Sequence, residues 1–254
     1  MPNLAKRLLI SIVIDISPST GFKNTLGAKT PNELINEKLK SFIAQLCSNR
    51  KIRSSAEVCF VLYSTNVEVK PFVPLKSLEN NVPRFSPVKS GGTRTALAMN
   101  AAYDAIHEKA RLISGNSLGG GLYTSVVILL TDGDVSVHDS DDMIKDVTRR
   151  INACTVKESR AEKVLPIIVG LGDSINASTQ KMLAEFNRGF VDDGFFWVRN
   201  DTDEKVDDNL TRLFKFFSQS IVASVRVGEN SVDVLLNELR SLVEEAYTDT
   251  LCKV

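Results

Sequence analysis

The 254-residue chain has little of what most reactive sites require. Its two histidines, His107 and His138, stand apart from every polar motif, which excludes a Ser-His-Asp hydrolase and leaves both as surface or packing residues. Four cysteines, Cys47, Cys59, Cys154 and Cys252, are widely separated with no C-x-x-C pair, the pattern of buried, reduced thiols in a reducing compartment. Neither charge sign is in excess: 31 Lys and Arg balance 31 Asp and Glu, so the basic surplus needed to bind nucleic acid without sequence preference is missing. Only 14 Gly and 8 Pro, with 43% hydrophobic residues, exclude disordered and fibrous classes. No run approaches the ~20 apolar residues of a membrane helix. Lys6-Arg7 followed by Leu8–Ile14 imitates a signal peptide, but Asp15 interrupts the run and no small-residue cleavage site follows. The expectation is a cytoplasmic protein that engages neither nucleic acid nor membrane.

What is present reads as an α/β fold. Leu8–Ile14, Val58–Tyr63, Ser125–Leu130 and Lys163–Gly170 are short, rich in Val, Ile and Leu, and apolar at consecutive positions, as strands covered on both faces are. Asn66–Pro74 alternates and carries two prolines, which suits an antiparallel edge strand, and Gly194–Val198 reads as a last strand. Between them Thr30-Pro31-Asn32-Glu33 is a capping box ahead of a stripe of Leu34, Ile35, Leu39, Phe42, Ile43 and Leu46. Ala96–Ile113 is an alanine-rich helix. Asp139–Asp142 place negative charge at the start of a helix with Met143, Val147 and Ile151, and Val206 to Ile221 form another stripe. The order predicts a Rossmann-like, doubly wound, mainly parallel six-stranded sheet with one antiparallel edge strand and helices on both faces. Residues 1–227 form this domain. Residues 228–254 read as an amphipathic helical extension with Leu235, Leu239, Leu242 and Ala246 on one face, which either packs back on the domain or docks a partner.

Ligands of doubly wound folds bind at the carboxyl ends of the strands. There the chain offers Asp15-Ile16-Ser17-Pro18-Ser19, Gly91-Gly92-Thr93-Arg94-Thr95 and Thr131-Asp132-Gly133-Asp134. Carboxylates and hydroxyls from three loops suit a hard divalent cation, Mg²⁺ first, with Mn²⁺ or Ca²⁺ as substitutes. Neutral hydroxyl donors leave such an ion electron-poor and able to take an acidic side chain from another protein. Thr93 and Thr95 compete for the helix N-cap, and Asp134 orients the loop or a metal-bound water rather than binding directly. Gly119-Gly120-Gly121 and the Gly170–Ser174 stretch match neither G-x-G-x-x-G nor a P-loop, and read as turns.

The D-x-S-x-S, T and D set, in this order and at three strand ends, resembles the von Willebrand factor A domain and its metal-ion-dependent adhesion site (MIDAS), over roughly Leu8 to Val225. Ser90–Leu97, Val127–Gly133 and Leu213–Phe217 resemble the bacterial tellurium-resistance-type members. The resemblance implies metal-site residues Asp15, Ser17, Ser19, Thr93 and Asp132. It also implies a non-enzymatic protein-interaction module in a stress-response setting, with a phosphatase or kinase of the same system as partner. Pro18 stands where the family usually has glycine, and a loop needing φ > 0 there would have to be rebuilt. The alternative is a Mg²⁺-dependent phosphohydrolase of the haloacid-dehalogenase type. That chemistry wants a second carboxylate two residues after Asp15, where the chain has Ser17.

Overall fold

A computed structural model describes residues 7–22, 28–115, 123–133, 139–155, 164–187, 194–199, 201–226 and 251–253. The central strand β1 (Arg7–Asp15) shows why its sequence lacks alternation: Leu8, Ile10, Ile12 and Ile14 enter one core, while Leu9 and Val13 enter a second core on the opposite face. Beside it run β2 (Ala56–Tyr63) and β5 (Tyr123–Thr131), followed outward by β6 (Val164–Leu171) and β7 (Gly194–Val198), all parallel to one another. They lie in the order β2-β1-β5-β6-β7.

The expected edge strand is two segments, β3 (Val67–Val69) and β4 (Val73–Pro74), both antiparallel to β2. Pro71 lies between them and has no N–H for a ladder. At the far edge β8 (Leu251–Lys253) pairs antiparallel with β7. The doubly wound, mainly parallel sheet with helices on both faces is therefore present, with eight strands among the described residues rather than six. The helix expected around Leu235 to Ala246 lies outside the described residues.

One face is covered by α1 (Pro31–Ser48) and α7 (Asp203–Arg226), with the short α2 (Arg50–Ser55) and α3 (Leu75–Leu78) beside them. The capping box forms as read: Thr30 Oγ1 accepts the Glu33 N–H (3.1 Å), and Glu33 Oε2 accepts the Thr30 N–H (2.9 Å). Thr30→Ala should therefore cost about 1 kcal/mol in urea unfolding, with an unchanged slope. Phe42 meets Phe214 with ring centroids 5.4 Å apart, and Phe217 meets Phe196 at 5.2 Å. Lys38 is buried between the helices, its ammonium 2.6 Å from Asp207 and 2.9 Å from the Thr211 hydroxyl.

The other face carries α4 (Thr95–Gly115), α5 (Asp141–Thr155) and α6 (Ala177–Phe186). The small residues Ala96, Ala98, Ala102 and Ala110 bring α4 close to the sheet. No helix was expected between residues 170 and 194, yet α6 is there, its start capped by Asn176 accepting the Thr179 N–H. The chain reaches β2 from β1 through α1 on one face, then passes back over β1 to β5 through α4 on the other. Strand order thus reverses between β1 and β5, and a crevice opens at their carboxyl ends.

Candidate functional site

Asp15 ends β1 in that crevice. It pairs in register with Tyr63, and the preceding Ile14↔Leu130 pair sets it beside Thr131 at the end of β5. Its carboxylate is fully buried; Oδ1 accepts the Ser17 N–H (2.8 Å) and Oδ2 accepts the Thr131 hydroxyl (2.9 Å). Ser17 then precedes a 3-10 turn, Pro18–Gly21, and its carbonyl accepts both the Thr20 N–H (3.2 Å) and the Thr20 hydroxyl (2.7 Å). The turn brings Ser17 Oγ within 3.0 Å of Ser19 Oγ. Asp15, Ser17 and Ser19 are thereby brought together. Pro18 occupies the first position of the turn, where φ near −65° is the required value and an N–H has no helical partner. Nothing in this turn requires a positive φ at residue 18.

The second loop is laid against the end of β2. Gly92 N–H donates to Thr65 Oγ1 (2.6 Å) and Arg94 N–H to the Ser64 carbonyl (3.0 Å), fixing Thr93 between them, buried. Gly91 adopts φ +133°, and a Cβ there would sit 2.6 Å from Thr65 Oγ1, so the approach requires glycine. Thr95 begins α4 with its hydroxyl 3.5 Å from the Tyr63 hydroxyl. Tyr63 is kept neutral: burial first, then the negative charge of Asp15, pushes its phenol well up.

The N-terminus of α4 is capped from elsewhere. Asp139, read as charge for the start of α5, instead accepts the Ala96 N–H (2.5 Å) and lies 3.7 Å from the Arg94 guanidinium, its side chain 1% exposed. This long-range cap ties the third loop to the second. Removing it in Asp139→Ala should cost about 2 kcal/mol in thermal unfolding, and Asp139→Asn, which keeps an acceptor, clearly less.

In the third loop Asp132 is fully buried beside Asp15. Thr131 bridges the loops, accepting the Gly133 N–H (3.0 Å) while donating to Asp15. Asp134 and His138 lie outside the described residues, and His107 is half-buried on α4. Burial first, and the neighbouring Asp132 charge second, push the Asp15 carboxyl up to about 7, against the lowering effect of its bonds to Ser17 and Thr131. No Lys or Arg pairs with Asp15 among the described residues. A hard cation fits this donor set: two buried carboxylates whose repulsion it would offset, and the Ser17 and Ser19 hydroxyls drawn together on the loop that follows Asp15. Among the described residues no cluster of three or more His, Cys, Asp or Glu is placed to hold a metal, so such a cation would rely on the hydroxyls. Thr131, Tyr63 and Asp139 are the contributors the sequence reading missed.

Residues 10–212 match the family model of the von Willebrand factor type A domain. No curated protein matches the chain. Among solved structures, the conserved hypothetical protein BatB from Bacteroides thetaiotaomicron is 13% identical over 86% of this chain and 98% of its own, with a TM-score of 0.54. The PilB minor pilin from Streptococcus sanguinis is 12% identical over 85% of this chain and 62% of its own (TM-score 0.54). Proximal thread matrix protein 1 from the mussel byssus is 18% identical over 84% and 47% (TM-score 0.50). The chain thus spans less than two thirds of the latter two proteins, and these likenesses speak to the fold. With four fifths of its length matched by the family model, the chain belongs to the von Willebrand factor type A domain family, a family of protein-interaction modules.

Proposed function

We propose that the protein is a metal-dependent interaction module in which Asp15, Ser17, Ser19, Thr93 and Asp132 hold Mg²⁺, with Mn²⁺ or Ca²⁺ as substitutes. When bound, the ion supplies a positive, open coordination position for the carboxylate of a partner protein. The observation that carries this reading is the pair of fully buried carboxylates at the switch point, with Ser17 and Ser19 converging beside them. Asp15 anchors the Ser17 loop through its N–H and is itself held by Thr131, so this chain's own bonds preset the donors. The motif resemblance supports a bacterial tellurium-resistance-type stress system, a cytoplasmic setting and a phosphatase or kinase partner. No helix among the described residues is long and apolar enough to cross a membrane.

The phosphohydrolase alternative gains no support. The Ser17 hydroxyl lies against Ser19 where a second carboxylate is wanted, and Asp139 places negative charge at the α4 N-terminus, where a phosphate would meet it. The test follows free Mn²⁺ by its paramagnetic resonance. Wild type should deplete the signal, Mg²⁺ should restore it, and Thr93→Ala should weaken binding about tenfold. Proteins retained on the immobilised chain should elute with EDTA and be absent on Asp15→Ala. Retention indifferent to EDTA, or phosphate-ester turnover lost in Asp15→Asn, would contradict the proposal.

A further inference from the structure

Residues 79–94 carry no helix or strand, yet they are pinned along their length. The Asn36 amide clamps Phe85, donating to its carbonyl (2.9 Å) and accepting its N–H (2.8 Å). Val88 N–H donates to the Ile16 carbonyl (2.8 Å), and Gly21 packs against Pro87, where a Cβ would lie 3.2 Å from the ring. Gly92 and Arg94 are held to the β2 end as described. The segment is therefore a fixed track from the flank of α1 to the metal loop.

Its charge is one-sided. Beyond Glu79, which pairs with Arg53 (2.6 Å), the segment contains Arg84, Lys89 and Arg94 and no other Asp or Glu, in a chain whose charges cancel overall. Arg84 and Lys89 are exposed and make no ion pair among the described residues, and Lys40 on α1 is likewise exposed and unpaired. At the distal end Arg84 and Lys40 flank a cleft of about 560 Å³ lined also by Lys29, Asn36, Val82 and Pro83. The two carboxylates in that cleft are already engaged, Glu37 with Lys29 (2.7 Å) and Glu33 in the capping box.

We infer that this track is the docking surface for an extended acidic segment of the partner, running from the Arg84 cleft past Lys89 to the metal site. The inference rests on the proposed function above, since one carboxylate of that segment would complete the cation's coordination. Exposed cations spaced along a pinned backbone favour such a strand by charge complementarity, and they add orientation that a single metal bond lacks.

The experiment uses a fluorescein-labelled ten-glutamate peptide and the full chain in Mg²⁺, read by anisotropy across a salt series. Wild type should bind, with affinity falling as salt rises. Arg84→Glu combined with Lys89→Glu should weaken binding about tenfold or more and flatten the salt dependence, with Mg²⁺ affinity by calorimetry unchanged. Arg149→Glu, on α5 across the sheet, should leave peptide binding unaltered. Peptide binding that survives the double reversal but is lost in Asp15→Ala would overturn the track while leaving the metal site standing. Binding lost in the double reversal yet indifferent to EDTA would support the track and contradict the metal reading. No binding by wild type at low salt would overturn the track.

Discussion

At pH 8 in EDTA, Asp15→Asn should melt higher than wild type and, unlike wild type, show no response to Mg²⁺. The gain arises because Asp15 is buried, and its carboxyl, at about 7, lies above the ordinary 3.8. Between these values the folded protein holds a proton that the unfolded chain releases. In the metal-free protein this contribution is therefore full below about pH 4, declines as pH rises, and is lost above about pH 7. Asparagine is neutral throughout; its carbonyl accepts the Ser17 N–H, and the Thr131 hydroxyl can turn to accept from its amide. The difference should reach about 2–4 kcal/mol at pH 8 and nearly vanish at pH 4. For a chain of this size that is a shift of roughly 5–10 °C, readable by calorimetry. In wild type, millimolar Mg²⁺ at a dissociation constant near 0.1 mM restores about 1.4 kcal/mol. A variant less stable than wild type in EDTA at pH 8 would show that the Asp15 charge is compensated within the chain, and the case for a cation there would weaken.

Gly133→Ala should be severely destabilising, by about 2–4 kcal/mol, and should weaken metal binding about tenfold or more. Gly133 has φ +72°, a left-handed conformation in which a Cβ is strained. That Cβ would also lie 2.3 Å from Ile175 Cγ1, inside any tolerable contact. Ile175 is buried and covers Gly170 as well, where an added Cβ would come within 2.4 Å of Ile175 Cδ1 and 3.0 Å of Phe195. Retreat is therefore blocked on the Ile175 side, and the strain falls on the Asp132–Gly133 peptide. Gly170→Ala makes the matched control. It meets the same isoleucine without positive φ, one strand over, and should lose stability while keeping metal affinity within about threefold. Ile175→Ala should rescue part of the loss in Gly133→Ala, so the double variant loses less than the sum of the singles. Additive losses would show that backbone strain alone accounts for the effect.

The parts of this fold that were legible are those where one local cause dominates. Consecutive apolar residues in Leu8–Ile14 meant burial on both faces, and β1 is the centre of the sheet. The capping box at Thr30 and the Val206 to Ile221 stripe are complete within one helix each. What escaped depends on distance along the chain. Leu251–Lys253 is too short to show a period, and its strand state exists through pairing with β7, more than fifty residues earlier. Asp139 obeys the local rule that acids precede helices, yet its hydrogen bond goes to Ala96, 43 residues away. Thr131 reaches Asp15 only because of the β1–β5 register. The helix α6 did leave a signal, Asn176 ahead of Met182, Leu183 and Phe186, which the neighbouring glycines obscured. Pro18 was the reverse case: its fixed φ was known, but whether the loop suits it depends on the 3-10 turn that begins there.

Calorimetric titration of Mg²⁺ and Mn²⁺ into wild type and Asp15→Ala at pH 8 tests the central claim most directly. The account predicts one saturable site in wild type, with Mn²⁺ competing for it, and no heat beyond dilution in Asp15→Ala. Equal binding by the two proteins, or none by wild type, would contradict a cation held by Asp15, Ser17, Ser19, Thr93 and Asp132.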